Sequence, residues 1–120
     1  MRLSLPKEPL LRKIVFRIRK RYFYAIMNGS KTIEYRRDSP FWQKRLEKLE
    51  KVPNREAWFP ENLIAVFICG KKVCTKRIIY IERLPTPNNF SEQGKKDVDT
   101  PTCLAFYLIK KNQEGVCSQP

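Results

Sequence analysis

Histidine is absent from the 120 residues. That removes the side chain that titrates near neutrality, and with it any Ser-His or Cys-His nucleophile pair. Acid–base chemistry would have to come from Lys, Glu, Asp or Tyr. Cysteine is sparse and badly spaced for metal: Cys69 and Cys74 have four residues between them, Cys103 and Cys117 stand alone, and no CxxC pair occurs. With no histidine to complete a ligand set, neither a metal nor a cofactor is expected. Cys69, Cys74 and Cys103 are instead expected as small apolar fillers of strands. No apolar run is long enough to span a bilayer, and "MRLSLPKEPLLRK" lacks the pattern of a secretory signal. The expectation is a cytoplasmic protein without membrane attachment.

Acidic residues are also scarce, 12 against 25 lysines and arginines, for a net charge of +13. The excess is uneven. Residues 1–37 hold 11 basic groups and two acidic ones, whereas residues 85–120 are balanced. Such asymmetry suits a polyanionic partner better than a requirement for solubility alone. RNA is the expected partner, and DNA would be held by nonspecific charge. An interaction protein whose charge is incidental is the plainer alternative.

At this length one domain is expected, large enough for a single core. Residues 1–12, with two prolines, read as an irregular lead-in, and residues 112–120 as a flexible tail. "KIVFRIRK" alternates, placing Ile14, Phe16 and Ile18 on one face of a strand. In "KRYFYAIMNG", Phe23, Ile26 and Met27 have the spacing of a short helix that Gly29 terminates. "KTIEYRR" then has the period of a strand. On that period Ile33 and Tyr35 form the core pair, while Thr32, Glu34 and Arg36 share the opposite face. "SPFWQKRLEKLEK" is the strongest helix signal, with Ser39 as cap, Pro40 in the first turn and a Trp42, Leu46, Leu49 stripe. Pro53 ends it. Trp58 and Phe59 follow in a loop and suit either the core or a stacking surface.

The second half is mostly strand. Two apolar runs meet at Gly70-Lys71-Lys72 as a hairpin, with Lys76 and Arg77 adding to the basic surface. "TPNNFSEQGKKDVDTP", within residues 85–101, has no period and reads as a long loop. "TCLAFYLIKK" is the final strand. About five strands and two helices predict an α+β domain around a small β-barrel.

Once these elements are placed, "YFYAIMNGSKTIEYRRDSPFWQKRL" resembles the core of ASCH domains, a branch of the PUA-like superfamily. Their helix is followed by G-x-K-x-x-E-x-R, which here falls on Gly29, Lys31, Glu34 and Arg36. "FICGKK" and "FYLIKK" extend the resemblance across most of residues 13–111. It implies a PUA-like barrel with a cleft beside its first helix, lined by the motif and suited to RNA. Lys31, Thr32, Glu34 and Arg36 would recognise a nucleotide, while Arg17, Arg19, Lys20 and Arg21 track the backbone. Tyr22 and Tyr35 are secondary candidates.

Some ASCH proteins are enzymes, which makes a ribonuclease or an acylcytidine amidohydrolase the alternative, with Lys31, Glu34 and Arg36 as catalytic candidates. The family's deacylase pattern places a threonine three residues after the lysine. Glu34 stands there in this chain, and a carboxylate does not simply replace a hydroxyl nucleophile. Binding is therefore the primary expectation.

Overall fold

The alternation of "RKIVFR" builds β1 (Arg12–Arg17), with Ile14 and Phe16 inward and fully buried. The computed structural model describes residues 12–50 and 56–110. The lead-in before Arg12, the tail 112–120, Cys117 and the helix-ending Pro53 lie outside the described residues. β1 is followed by α1 (Lys20–Met27), β2 (Ile33–Arg37), α2 (Pro40–Glu50), β3 (Ala57–Trp58), β4 (Leu63–Cys69), β5 (Lys72–Pro85), α3 (Glu92–Asp97) and β6 (Thr102–Leu108). The described residues thus form six strands and three helices, an α+β arrangement with one more of each than the sequence suggests.

The sheet runs β1-β4-β5-β6-β2, with β3 added to β5. β1 lies parallel to β4, and the other pairs are antiparallel. β5 is 14 residues long and serves two neighbours in turn. Its first half pairs with β4; after a register shift between Ile78 and Tyr80 its second half pairs with β6. Such an irregularity bends a strand and lets one sheet curl. The curl stops short of closure: among the described residues β1 and β2 stay at opposite ends of the path without pairing. The expected small, partly closed barrel is therefore an open, curled sheet with a seam.

The core fills the concave side. Phe16 lies 5.3 Å from both Trp42 and Phe67 and 5.0 Å from Phe106, centroid to centroid. Burying each such ring contributes about 2–3 kcal/mol, so this cluster ties β1, α2, β4 and β6 together. Trp42, Leu46 and Trp58 are buried, which settles Trp58 as a core residue, while Phe59 is 79% exposed. Cys74 and Cys103 are buried, and Cys69 is half-buried. Gly29 at φ 88° ends α1, and Gly70 at φ 61° turns the β4–β5 hairpin, both conformations that L side chains resist.

Three further expectations are corrected. Residues 86–101 are not wholly loop. Ser91 caps α3 by accepting a 3.1 Å hydrogen bond from the Gly94 N–H, a local signal that "SEQG" carries and that the lack of apolar period obscures. Lys76 does not join the basic surface: it is 3% exposed, because strand alternation turns it inward with Cys74 and Ile78. In β2 the faces are exchanged. Glu34, opposite the buried Phe106, is 5% exposed, whereas Ile33 and Tyr35 are only half-buried. β6 presents Leu104, Phe106 and Leu108 to the core, and register forces Glu34 and Arg36 onto that same side.

Asp38, just after β2, ties that strand to three other elements. Its carboxylate accepts from Arg83 Nε at 2.9 Å, Thr102 Oγ1 at 2.9 Å and Gln43 Nε2 at 2.8 Å. Burial alone would push its carboxyl upward, but the Gln43 and Thr102 hydrogen bonds and the Arg83 charge outweigh it, holding the pKa below the ordinary 3.8. A depressed folded-state pKa adds stability that is complete above the unfolded value and is lost as pH falls through the folded one. Asp38→Asn should therefore lower the Tm at pH 7 and flatten its decline below about pH 4. Thermal melts from pH 2 to 7 check this, and superimposable acid limbs would exclude the clasp as a source of acid sensitivity.

Candidate nucleotide-binding cleft

The seam between β1 and β2 is a cleft of about 640 Å³. The chain leaving β1 supplies Arg17, Ile18 and Arg19; α1 supplies Tyr22; Lys31 and β2 supply the facing wall; Trp42 and the segment from Asn89 to Val98 complete it. Five basic side chains line it against two carboxylates, Glu34 and Asp97. Its aromatic walls and cationic floor fit a flat, anionic or carbonyl-bearing ligand.

The turn after α1 sets Lys31. Asn28 Oδ1 accepts the Ser30 N–H at 2.8 Å, and the Lys31 N–H returns to the Ala25 carbonyl at 2.9 Å. The Lys31 side chain then folds back, donating to the Ile33 carbonyl and lying 3.1 Å from Glu34 Oε1. Glu34 Oε2 accepts from Arg36 Nε at 2.9 Å and Nη2 at 2.6 Å. One buried carboxylate is thus held between two cations, which is what makes its burial tolerable.

Arg36 does more than pair. Its guanidinium lies 5.1 Å from the Phe16 ring and 5.3 Å from Trp42, and Nη2 donates to the Arg17 carbonyl at 3.2 Å. It reaches across the open seam from β2 to the end of β1. The planar fork and weak hydration of arginine suit such a stacked, hydrogen-bonded position, which lysine would fill poorly.

The Lys31 ammonium sits 5.9 Å from the ring centres of both Tyr22 and Tyr35. Arg21 Nη2 donates to Tyr22 Oη at 3.3 Å, and that hydrogen bond lowers the phenol below its ordinary pKa. Burial pushes the Tyr35 phenol the other way. Tyr35 packs edge-on against Phe90 at 5.0 Å, so the half-buried ring expected in the core belongs to the cleft wall.

Residues 89–98, read from sequence as part of a loop, form that wall because arginines anchor them. Arg37 Nε donates to the Asp97 carbonyl at 2.9 Å and Nη2 to the Lys96 carbonyl at 3.3 Å, satisfying the C-terminal end of α3. Arg19 Nη2 lies 3.4 Å from Asp97 Oδ1 on the exposed rim. Only the cap at Ser91 could have flagged this segment in advance.

Of the sequence-derived candidates, Lys31, Glu34, Arg36, Arg17 and Arg19 meet in the cleft. Thr32 does not line it, and its carbonyl accepts the Leu108 N–H at 2.8 Å in the sheet. Lys20 and Arg21 are exposed on α1, outside the cleft lining. Phe90, Ser91 and Asp97 were missed. Among the described residues no group of three or more Cys, Asp or Glu is placed to hold a metal, and no helix is long and apolar enough to cross a membrane.

Removing the charge of Glu34 leaves two cations facing each other beside the core. Glu34→Gln should lower stability by about 2 kcal/mol. The loss is smaller than for a fully buried pair because the Lys31 and Arg36 side chains keep 21% and 22% of their exposure. Urea unfolding of both proteins measures it, and coincident midpoints would mean that the carboxylate does not organise the seam.

No protein-family model matches the chain, and a search of curated proteins finds no match. Among solved structures it resembles the crystal structure of a mutant ZmASCH protein from Zymomonas mobilis. The TM-score is 0.55 with 17% identity, covering 83% of this chain and 69% of that one. Identity this low speaks to architecture alone: the chain has an ASCH-like fold.

Proposed function

We propose that this protein is an RNA-binding domain that receives one nucleotide in the β1–β2 seam. The observation that carries the proposal is the floor of the cleft, where Lys31 and Arg36 converge on the buried Glu34 between aromatic walls. Lys31 is the recognition cation. Its ammonium has three donors, two of them directed to Glu34 and Ile33, and it remains partly open to the cleft. A nucleotide whose base slots beside Tyr22 and Tyr35 would present a base carbonyl or its phosphate to it. Arg36 is already engaged by Glu34, Arg17 and two rings, so it acts chiefly as a brace. Glu34, saturated from both sides, orients Lys31 rather than moving protons.

Arg17 and Arg19 at the rim, with Lys20 and Arg21 beyond it, supply backbone attraction. That attraction treats RNA and DNA alike, so preference must come from the cleft. The expected outcome for Lys31→Ala is a loss of about tenfold or more in affinity for a single-stranded oligoribonucleotide. Loss of preference over the matching DNA should accompany it, while Lys44→Ala on α2 changes little. Titrations at two salt concentrations check this. Equal binding of RNA and DNA by wild type and Lys31→Ala would defeat the proposal.

A further inference from the structure

The convex face of the sheet carries a row of rings that the cleft does not use. Trp58 points into the core, so strand alternation turns Phe59 outward, 79% exposed. Its ring lies 4.9 Å from Tyr80 on β5, which lies 5.3 Å from Tyr107 on β6. Tyr107 is in register with Ile33 on β2, and Tyr35, two residues further on, forms the cleft wall beside Lys31. The β5 irregularity adds Ile79, 38% exposed, next to Tyr80.

The row is held in place. Glu82 Oε1 accepts from Tyr107 Oη at 2.5 Å, and Oε2 accepts from Tyr80 Oη at 3.4 Å. The hydrogen bond to Glu82 pushes the Tyr107 phenol well above its ordinary pKa, so the ring stays neutral. Phe59 is exposed and Tyr80 and Tyr107 are half-buried, so each ring keeps surface that the core does not cover, and aromatics gathered in such a row mark a contact surface.

Resting on the reading of the cleft as a nucleotide site, we infer that Phe59, Tyr80 and Tyr107 form a stacking platform for the single-stranded RNA flanking the bound nucleotide. Two observations select this occupant. The row is continuous with the cleft through β2, and the chain's net charge of +13 attracts a polyanion while opposing a second copy of itself. Three strand spacings separate β3 from β2, roughly 14 Å, which about four stacked nucleotides would cover. Bases rather than phosphates would meet this face, since aromatic rings stack with any base and the Glu82 carboxylate between the tyrosines repels phosphate.

The test uses the full chain and pools of randomised three-nucleotide and ten-nucleotide RNAs, the shorter unable to cover both sites. Wild type should bind the longer pool more tightly. Phe59→Ala and Tyr80→Ala should each weaken ten-nucleotide binding by at least about fivefold, leave three-nucleotide binding unchanged, and Phe59→Trp should restore it. If wild type binds the short pool but gains nothing from length, the platform is wrong and the cleft stands. If Phe59→Ala alters only self-association by sedimentation, the face belongs to a second copy and the platform is likewise wrong. If neither pool binds wild type, the cleft reading fails and the platform with it.

Discussion

A single buried carboxylate organises this molecule. Glu34 sits at the edge of the core on the side that β6 fills with Leu104, Phe106 and Leu108, where an unpaired charge would be intolerable. Lys31 and Arg36 neutralise it, and in doing so they are themselves drawn to the floor of the cleft. Arg36 then spans to the Arg17 carbonyl and stacks between Phe16 and Trp42. The same contacts that make Glu34 tolerable keep two sheet edges apart at a fixed width.

That separation explains why the sheet curls without closing. A closed barrel would satisfy the edges of β1 and β2 with backbone hydrogen bonds and fill the gap. Here polar side chains and the segment carrying α3 line the gap instead. The arginines divide the labour: Arg36 braces the floor, Arg37 fastens α3, and Arg19 contacts Asp97 at the rim. On the proposed reading Lys31, which stays partly open to the cleft, is the group that meets a ligand. On that reading, stability and recognition draw on adjacent but different cations.

Much of this was legible in the chain. The strand–helix–turn–strand order through Arg37 follows from period and from Gly29, and the α2 stripe of Trp42 and Leu46 from helical spacing. Lys31, Glu34 and Arg36, which line the cleft, stood out only through the likeness of "GSKTIEYR" to ASCH domains, since spacing alone fits an exposed strand face equally well. What misled was polarity taken as a proxy for exposure. Glu34 and Lys76 were both assigned to outer faces, yet both turn inward because their strands' partners dictate the face. α3 escaped because it buries none of its residues and so leaves no hydrophobic period.

Local sequence determined the elements, their turns and the identity of the charged cluster, since these depend on contacts within a few residues. It determined, too, that in a chain without histidine any acid–base chemistry would fall to Lys, Glu, Asp or Tyr. Only tertiary structure decided which face of β2 meets the core, because register is set by β6, some 70 residues away. It alone brought Arg17, Lys31, Arg36 and Phe90 to one cleft and aligned Phe59, Tyr80 and Tyr107 across three strands. Pairing between distant segments is cooperative, and no local pattern encodes which edges are left apart.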